Sequence, residues 1–180
     1  LWTALRARPH DRVPSSDEDC ASIFVTAINT RPLCGDPTLS LAGREDDFTA
    51  GLEALEQLTQ GPIWLCKKAG AALPATTSSK IQVAEFDGKH PAGLVGTHIH
   101  ALDPVSRGKT VWHIGAQDVA AIGHLFRTGT LDVSTVVALG GPAAKNPRLL
   151  KTRIGAALDT LTEGELNTGE IRTISGAVIG

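Results

Sequence analysis

The chain has 180 residues, 42% of them apolar, with 17 Lys and Arg against 19 Asp and Glu for a net charge of −2. That length suits one sizeable core or a domain and a half, and the balanced charge leaves no footprint for nucleic acid or an anionic membrane surface. No apolar run approaches the roughly 20 residues that cross a bilayer and no secretory signal opens the chain, so it reads as a soluble piece without a membrane span.

In chain order, Ser22 to Ile28 is a short β-branched run expected to form a buried strand, followed by a turn-rich loop from Asn29 to Asp36. Asp36-Pro37 offers an N-cap with proline in the first turn. From there to about Gln60, Leu41, Phe48, Leu52, Leu55 and Leu58 fall at helical spacing, with Glu45, Asp46, Glu53 and Glu56 as the solvated face. Gly61-Pro62 stops that helix and Ile63 to Cys66 starts a strand, giving the strand, helix, strand order of a parallel crossover. A loop rich in Ala, Pro, Thr and Ser, residues 69–79, precedes a strand at Ile81 to Phe86. Thr110 to Ile114 reads as a strand, and Ala116 to Arg127 as a helix with Val119, Ile122 and Phe126 on one side and Gly129 as its stop. Beyond Gly129, two strand-like runs, Ser134 to Leu139 and Arg148 to Ile154, flank the turn-rich Gly140 to Pro147. A short helix at about Gly155 to Leu161 and a last strand at Ile171 to Ile174 complete a small module of β-grasp-like order. The expected boundary is at about residue 130, giving domains 1–130 and 131–180, the second truncated.

The segment His90 to His100 and its continuation through Trp112-His113 hold four of the six histidines within about two dozen residues. If the backbone is extended, His98 and His100 share a side, and His90 or His113 could supply a third nitrogen to a metal. The ligand pattern is loose and the nearby carboxylate, Asp103, precedes a proline, so no metal centre is assigned. Gly93 and Gly96 permit close backbone approach. The alternatives are a tight connection held by His98 and His100 on backbone carbonyls, or a ligand pocket in which a histidine donates to a carbonyl oxygen against Trp112. The candidate ligand residues are therefore His90, Gly93, Leu94, Gly96, His98, His100, Trp112 and His113. No G-x-S-x-G, G-x-G-x-x-G or Walker A pattern occurs. Cys20, Cys34 and Cys66 are far apart and odd in number, which indicates free thiols in a reducing cytoplasm. Arg148, Lys151 and Arg153 are read as an outward basic stripe and a candidate docking face.

These same residues carry a family resemblance. His90 to His100, Leu102 to Ser106 and Lys109 to Ile114 resemble the A subunit of the bacterial Na+-translocating NADH:quinone oxidoreductase. So do the opening Leu1-Trp2-Thr3-Ala4-Leu5-Arg6, Gln117-Asp118-Val119, Pro147-Arg148-Leu149 and Ile174-Ser175-Gly176. The likeness thins between Ala69 and Asp87. The chain contains no methionine and begins at Leu1, which fits an internal fragment.

The resemblance implies an α/β fold: a Rossmann-like domain similar to the flavin-binding subunit of respiratory complex I, then a soluble ligand-binding β-grasp (SLBB) domain. It implies a peripheral subunit on the cytoplasmic face of the bacterial inner membrane, beside partner subunits that hold the flavins and the iron–sulfur centre. Ubiquinone is the implied ligand. The chain lacks a glycine-rich flavin loop and a cysteine cluster, so no redox cofactor of its own is expected. Two other readings stand beside a quinone-contacting subunit: a purely structural docking module, and a flavin-dependent dehydrogenase.

Overall fold

We describe residues 1–74 and 76–179 from a computed structural model. Five strands, β1 (Arg6–Arg8), β2 (Ile23–Ala27), β3 (Ile63–Lys68), β4 (Ile81–Phe86) and β5 (Val111–Gly115), form one sheet in the order β1-β5-β2-β3-β4. β2 to β5 run parallel, and β1 pairs antiparallel with β5. The chain thus moves outward from β2 through β3 to β4, then returns to the other side of β2 as β5. That reversal creates a switch point between the carboxyl ends of β2 and β5, where open α/β sheets form a crevice.

The helices are α1 (Pro37–Ser40), α2 (Glu45–Leu55), α3 (Val95–Leu102), α4 (Ala116–Thr128) and α5 (Leu158–Thr162). Alternation along the strands divides the core in two. Ile23, Val25, Ile63, Leu65, Trp112 and Ile114 face Phe48, Leu52 and Leu55 of α2 and Val119 and Ala120 of α4. Phe24, Cys66 and Val111 face the opposite way, under Ile99 of α3, with Val95 and Leu102 at its margin. The acids Glu45, Asp46 and Asp47 occupy the first turn of α2, where the helix dipole favours negative charge.

α2 and α4 cross at two glycines. A Cβ on Gly123 would lie 1.8 Å from the Asp47 carbonyl oxygen, and one on Gly51 would lie 2.0 Å from that of Val119. Asp47, itself buried, bridges the same helices: it accepts from Arg127 Nη1 at 2.5 Å and sits 3.1 Å from His124 Nδ1. Burial alone would raise its pKa, but the hydrogen bonds from Arg127 and His124 prevail and hold the carboxylate below its ordinary range.

Four expectations change. The helix over 36–60 is broken at residues 41–44, where Gly43 turns the chain at a φ of +76° between α1 and α2. Phe126 is 73% exposed rather than core, because the buried stripe of α4 ends at Gly123. The stretch 95–102 is helical, since Val95, Ile99 and Leu102 supply a stripe for the second sheet face, and Asp103-Pro104 then stops it. Residues 171–174 form no strand.

The hairpin is present: β6 (Ser134–Leu139) pairs antiparallel with β7 (Arg148–Arg153). Among the described residues none beyond Gly123 is fully buried. The hairpin is held to the larger sheet domain from outside. Gln117 Nε2 donates to the Val136 carbonyl at 3.0 Å and the Val136 N–H donates to Gln117 Oε1 at 2.8 Å, as a neighbouring strand would. Arg44 also meets Asp132 at 2.6 Å. Among the described residues no helix is long and apolar enough to cross a membrane.

Candidate functional site

The histidine-rich segment forms a strap and a helix, not a single pocket. The Gly93 N–H donates to Thr30 Oγ1 at 2.8 Å, and His90 Nδ1 lies 3.2 Å from the same hydroxyl. A Cβ on Gly93 would sit 2.6 Å from the Thr30 backbone nitrogen, so this approach demands glycine. Leu94 is the N-terminal boundary of α3. His98 is fully buried; its Nε2–H donates to the Ala92 carbonyl at 2.8 Å, and its ring packs on Phe86 with centroids 4.2 Å apart. That bond fixes the tautomer and leaves Nδ1 buried without a partner. Burial depresses the His98 pKa, only partly opposed by the Ala92 carbonyl, so the ring is kept neutral.

The remaining candidates diverge. His98 and His100 lie on a helix, where a spacing of two turns side chains apart, so the shared side expected from an extended backbone is lost; His100 is exposed. Trp112 cannot wall His98, because it belongs to the opposite core, edge-on to Trp2 with centroids 5.7 Å apart. His113 Nε2 pairs with Asp11 Oδ1 at 3.1 Å, and burial lowers its pKa against the opposing effect of Asp11. Gly96 and His100 border a small recess of about 160 Å³ between β1 and α3. Among the described residues no three His, Cys, Asp or Glu side chains gather as metal ligands would.

A much larger cavity, about 960 Å³, lies at the switch point. One wall is the loop leaving β2, from Asn29 to Pro37, and the N-terminal end of α4 contributes Gln117. The other wall is β6, β7, α5 and residues 170–178. Its apolar members include Leu33, Val137, Leu149, Leu150 and Leu161. The two walls meet at Gly35, where a Cβ would lie 2.4 Å from Leu149 Cδ2. The Gln117 amide is spent on Val136, whereas Asn29 uses only Oδ1, accepting from the Arg31 N–H at 3.0 Å. Among the described residues the Arg31 guanidinium makes no hydrogen bond or ion pair. The strap at Gly93 and His90 grips Thr30, between Asn29 and Arg31, and so positions this rim from behind.

Sequence reasoning missed this cavity. The usable signal was the turn-rich loop after the first strand of a crossover unit, which open sheets place at their ligand crevice. Gln117 figured only in the family resemblance, with no signal that it would meet β6.

The basic stripe is smaller than expected. Arg148 lies an odd number of residues from Lys151 and Arg153, hence on the other face of β7, and grips Glu165 with two hydrogen bonds at 2.7 and 2.6 Å. Lys151 and Arg153 are exposed on a shared face. Asp103 accepts from Ser22 Oγ at 2.7 Å and pairs with Lys109, which ties the end of α3 to the start of β2. Burial pushes the Cys20 thiol up to about 11 and the Cys66 thiol to about 12, so neither is a ready nucleophile.

Comparison with known proteins gives a consistent result. The profile described as "NqrA second alpha/beta domain" matches residues 1–131, and that described as "NQRA C-terminal domain" matches 136–180. The chain is similar to proteins named as the A subunit of "Na(+)-translocating NADH-quinone reductase". The one from Shewanella denitrificans is 54% identical over 179 residues, covering 99% of this chain and 40% of the relative. The protein of that name from Pasteurella multocida is 52% identical, with the same coverage. That from Cellvibrio japonicus is 52% identical over 180 residues, 100% of this chain and 40% of the relative. The chain therefore spans about 40% of the length of the curated relatives it matches.

Proposed function

Since the chain belongs to the NqrA family, the A subunit of Na+-translocating NADH-quinone reductase, we propose that it contributes a quinone-contacting site to that complex and helps to assemble it. In this reading the protein is peripheral, on the cytoplasmic face of the inner membrane, with flavins and the iron–sulfur centre held by its partners. The observation that carries the reading is the switch-point cavity. Its volume of about 960 Å³ lies within the range of small-molecule sites, roughly 300–1,000 Å³, and its walls are mainly aliphatic. A quinone is a flat apolar ring with two carbonyl acceptors and an apolar tail. The Asn29 amide and the Arg31 guanidinium are uncommitted donors on the wall formed by the loop after β2, with Arg172 a further one on the opposite wall, and Leu33, Leu149 and Leu150 would border the ring and tail. A cation and a donor at the carbonyls favour the reduced ring and so shift its reduction potential.

The test is binding of a short-chain ubiquinone analogue to the full-length protein and to the assembled complex. Arg31→Ala and the cavity-filling Leu150→Trp should each weaken affinity at least tenfold, while His98→Ala with His100→Ala leaves it within about twofold. The reverse pattern would move the site to the histidine-rich segment. No change in either set ends the quinone reading for this portion of the protein.

A second reading, a purely structural module, is favoured by the exposed apolar side chains Leu33, Val137 and Leu158 that line the cavity. The cavity would then seat another polypeptide element. Under that reading Leu150→Trp blocks assembly and the quinone analogue binds the wild-type protein no better than the variant.

A further inference from the structure

Gly96 is a helical residue that the fold itself does not require. It lies in the first turn of α3 outside the left-handed region, and a Cβ there would meet nothing within 4 Å. Glycine costs a helix stability relative to alanine. What its small size does is keep open the recess of about 160 Å³ between α3 and β1, walled by Ile99, Val105, Pro9 and Pro104 and bordered by Arg8 and His100.

Arg8 and His100 are the ionisable side chains that line this opening, with Asp11 beside Arg8. Arg6 and Arg8 lie on one face of β1, opposite His113 and Val111 of β5. Asp11 is shared between Arg8 at 3.6 Å and His113 at 3.1 Å, and among the described residues Arg6 has no carboxylate partner. Arg107 is exposed in the loop after α3, where Asp103 is already engaged by Lys109.

We propose that this recess is a docking socket for an acidic side chain and its apolar neighbour on another polypeptide of the complex. The apolar walls take the hydrocarbon part, and Arg8, with His100 across the opening and Arg6 further along the same face of β1, takes the carboxylate in place of its long contact with Asp11. The chain's net charge of −2 suits neither an extended polyanion nor an anionic bilayer. The proposal rests on the chain's working within a multi-subunit assembly and is independent of where quinone sits.

The experiment uses the assembled complex, scoring retention of the full-length protein through washes of rising NaCl concentration. Gly96→Leu plugs the socket, and Arg6→Glu with Arg8→Glu reverses its charge. Both should reduce retention at least fivefold, with Arg8→Lys close to wild type and the Tm of the free full-length proteins unchanged. A benzoylphenylalanine photo-crosslinker at position 100 should attach to a partner peptide carrying Asp or Glu beside an apolar residue. Unchanged retention at every salt concentration overturns the proposal, as does crosslinking to lipid alone. A lowered Tm for the free Gly96→Leu protein also overturns it, since the recess would then be filled from within the same chain. Unaltered quinone-analogue affinity in Gly96→Leu distinguishes this outcome from failure of the cavity assignment.

Discussion

Gly123→Ala tests whether the α2–α4 crossing is a tight glycine contact. The added Cβ would meet the Asp47 carbonyl oxygen at 1.8 Å and the Gly51 nitrogen at 2.5 Å, both backbone atoms that no rotamer change can move. Restoring ordinary contact requires the helices to part by roughly 1.5 Å, drawing Val119 and Ala120 away from Phe48 and Leu52. Overpacking of this kind costs about 1–3 kcal/mol, and the better helix propensity of alanine returns about 0.5–1 kcal/mol. The expected net loss is about 1–2 kcal/mol, a fall in Tm of roughly 2–8 °C at this domain size. Thermal unfolding of the full-length protein measures it, with Gly96→Ala as the control: its Cβ enters open space, so the helix-propensity gain of about 0.5–1 kcal/mol should appear unopposed. A Tm for Gly123→Ala at or above wild type would refute the close-crossing argument.

Gln117→Ala removes three hydrogen bonds that hold β6 to α4, two to the Val136 backbone and a longer one from Thr135 Oγ1 at 3.4 Å, a loss of about 1–3 kcal/mol in hairpin docking. Amide hydrogen exchange should quicken across 134–153 while β2 and β3 keep their protection, and unchanged exchange in the hairpin contradicts the latch. The depressed pKa of His98 gives a pH prediction. Below the ordinary imidazole value of 6.5 the unfolded chain takes up a proton that the folded chain refuses, so stability is intact above that pH and declines as pH falls beneath it. The fall in unfolding free energy between pH 7 and pH 5 should be shallower in His98→Gln; an identical slope would mean that His98 is not kept neutral by burial. His113, depressed in the same direction, leaves a residual slope in the variant.

Apolar β-branched runs, helical spacing and turn chemistry made the central strands, α4 with its Gly129 stop and the hairpin readable from sequence, because each leaves its signal within its own stretch of chain. The break at Gly43 was hidden because apolar residues on both sides keep helical spacing across it. The histidines drew attention to chemistry, whereas the information in that segment lay in Val95, Ile99 and Leu102, a helical stripe with two histidines between its members. Trp112 illustrates the limit: its neighbours along the chain and its neighbours in space lie on opposite sheet faces, and only strand register reveals which side chains meet. The cavity could be located only by combining strand order with the docking of a separate hairpin.

The histidine-rich segment and the cavity are nonetheless one system. Thr30 is held by Gly93 and His90 on one side and lies between Asn29 and Arg31, two rim residues of the cavity, on the other. Within residues 131–179 the opposite wall rests on a two-stranded sheet with no fully buried residue, which by itself is marginal in water. Whatever fills the cavity must therefore stabilise the hairpin against α4, by RT ln(1 + [L]/Kd) for a bound ligand. An occupant held at 100 times its Kd would add about 2.7 kcal/mol, comparable with the whole Gln117 latch. Ligand binding and hairpin order are thus two readings of one equilibrium. A quinone analogue that binds here should slow amide exchange in β6 and β7, and it should do so more strongly in Gln117→Ala, where the hairpin has more order to gain.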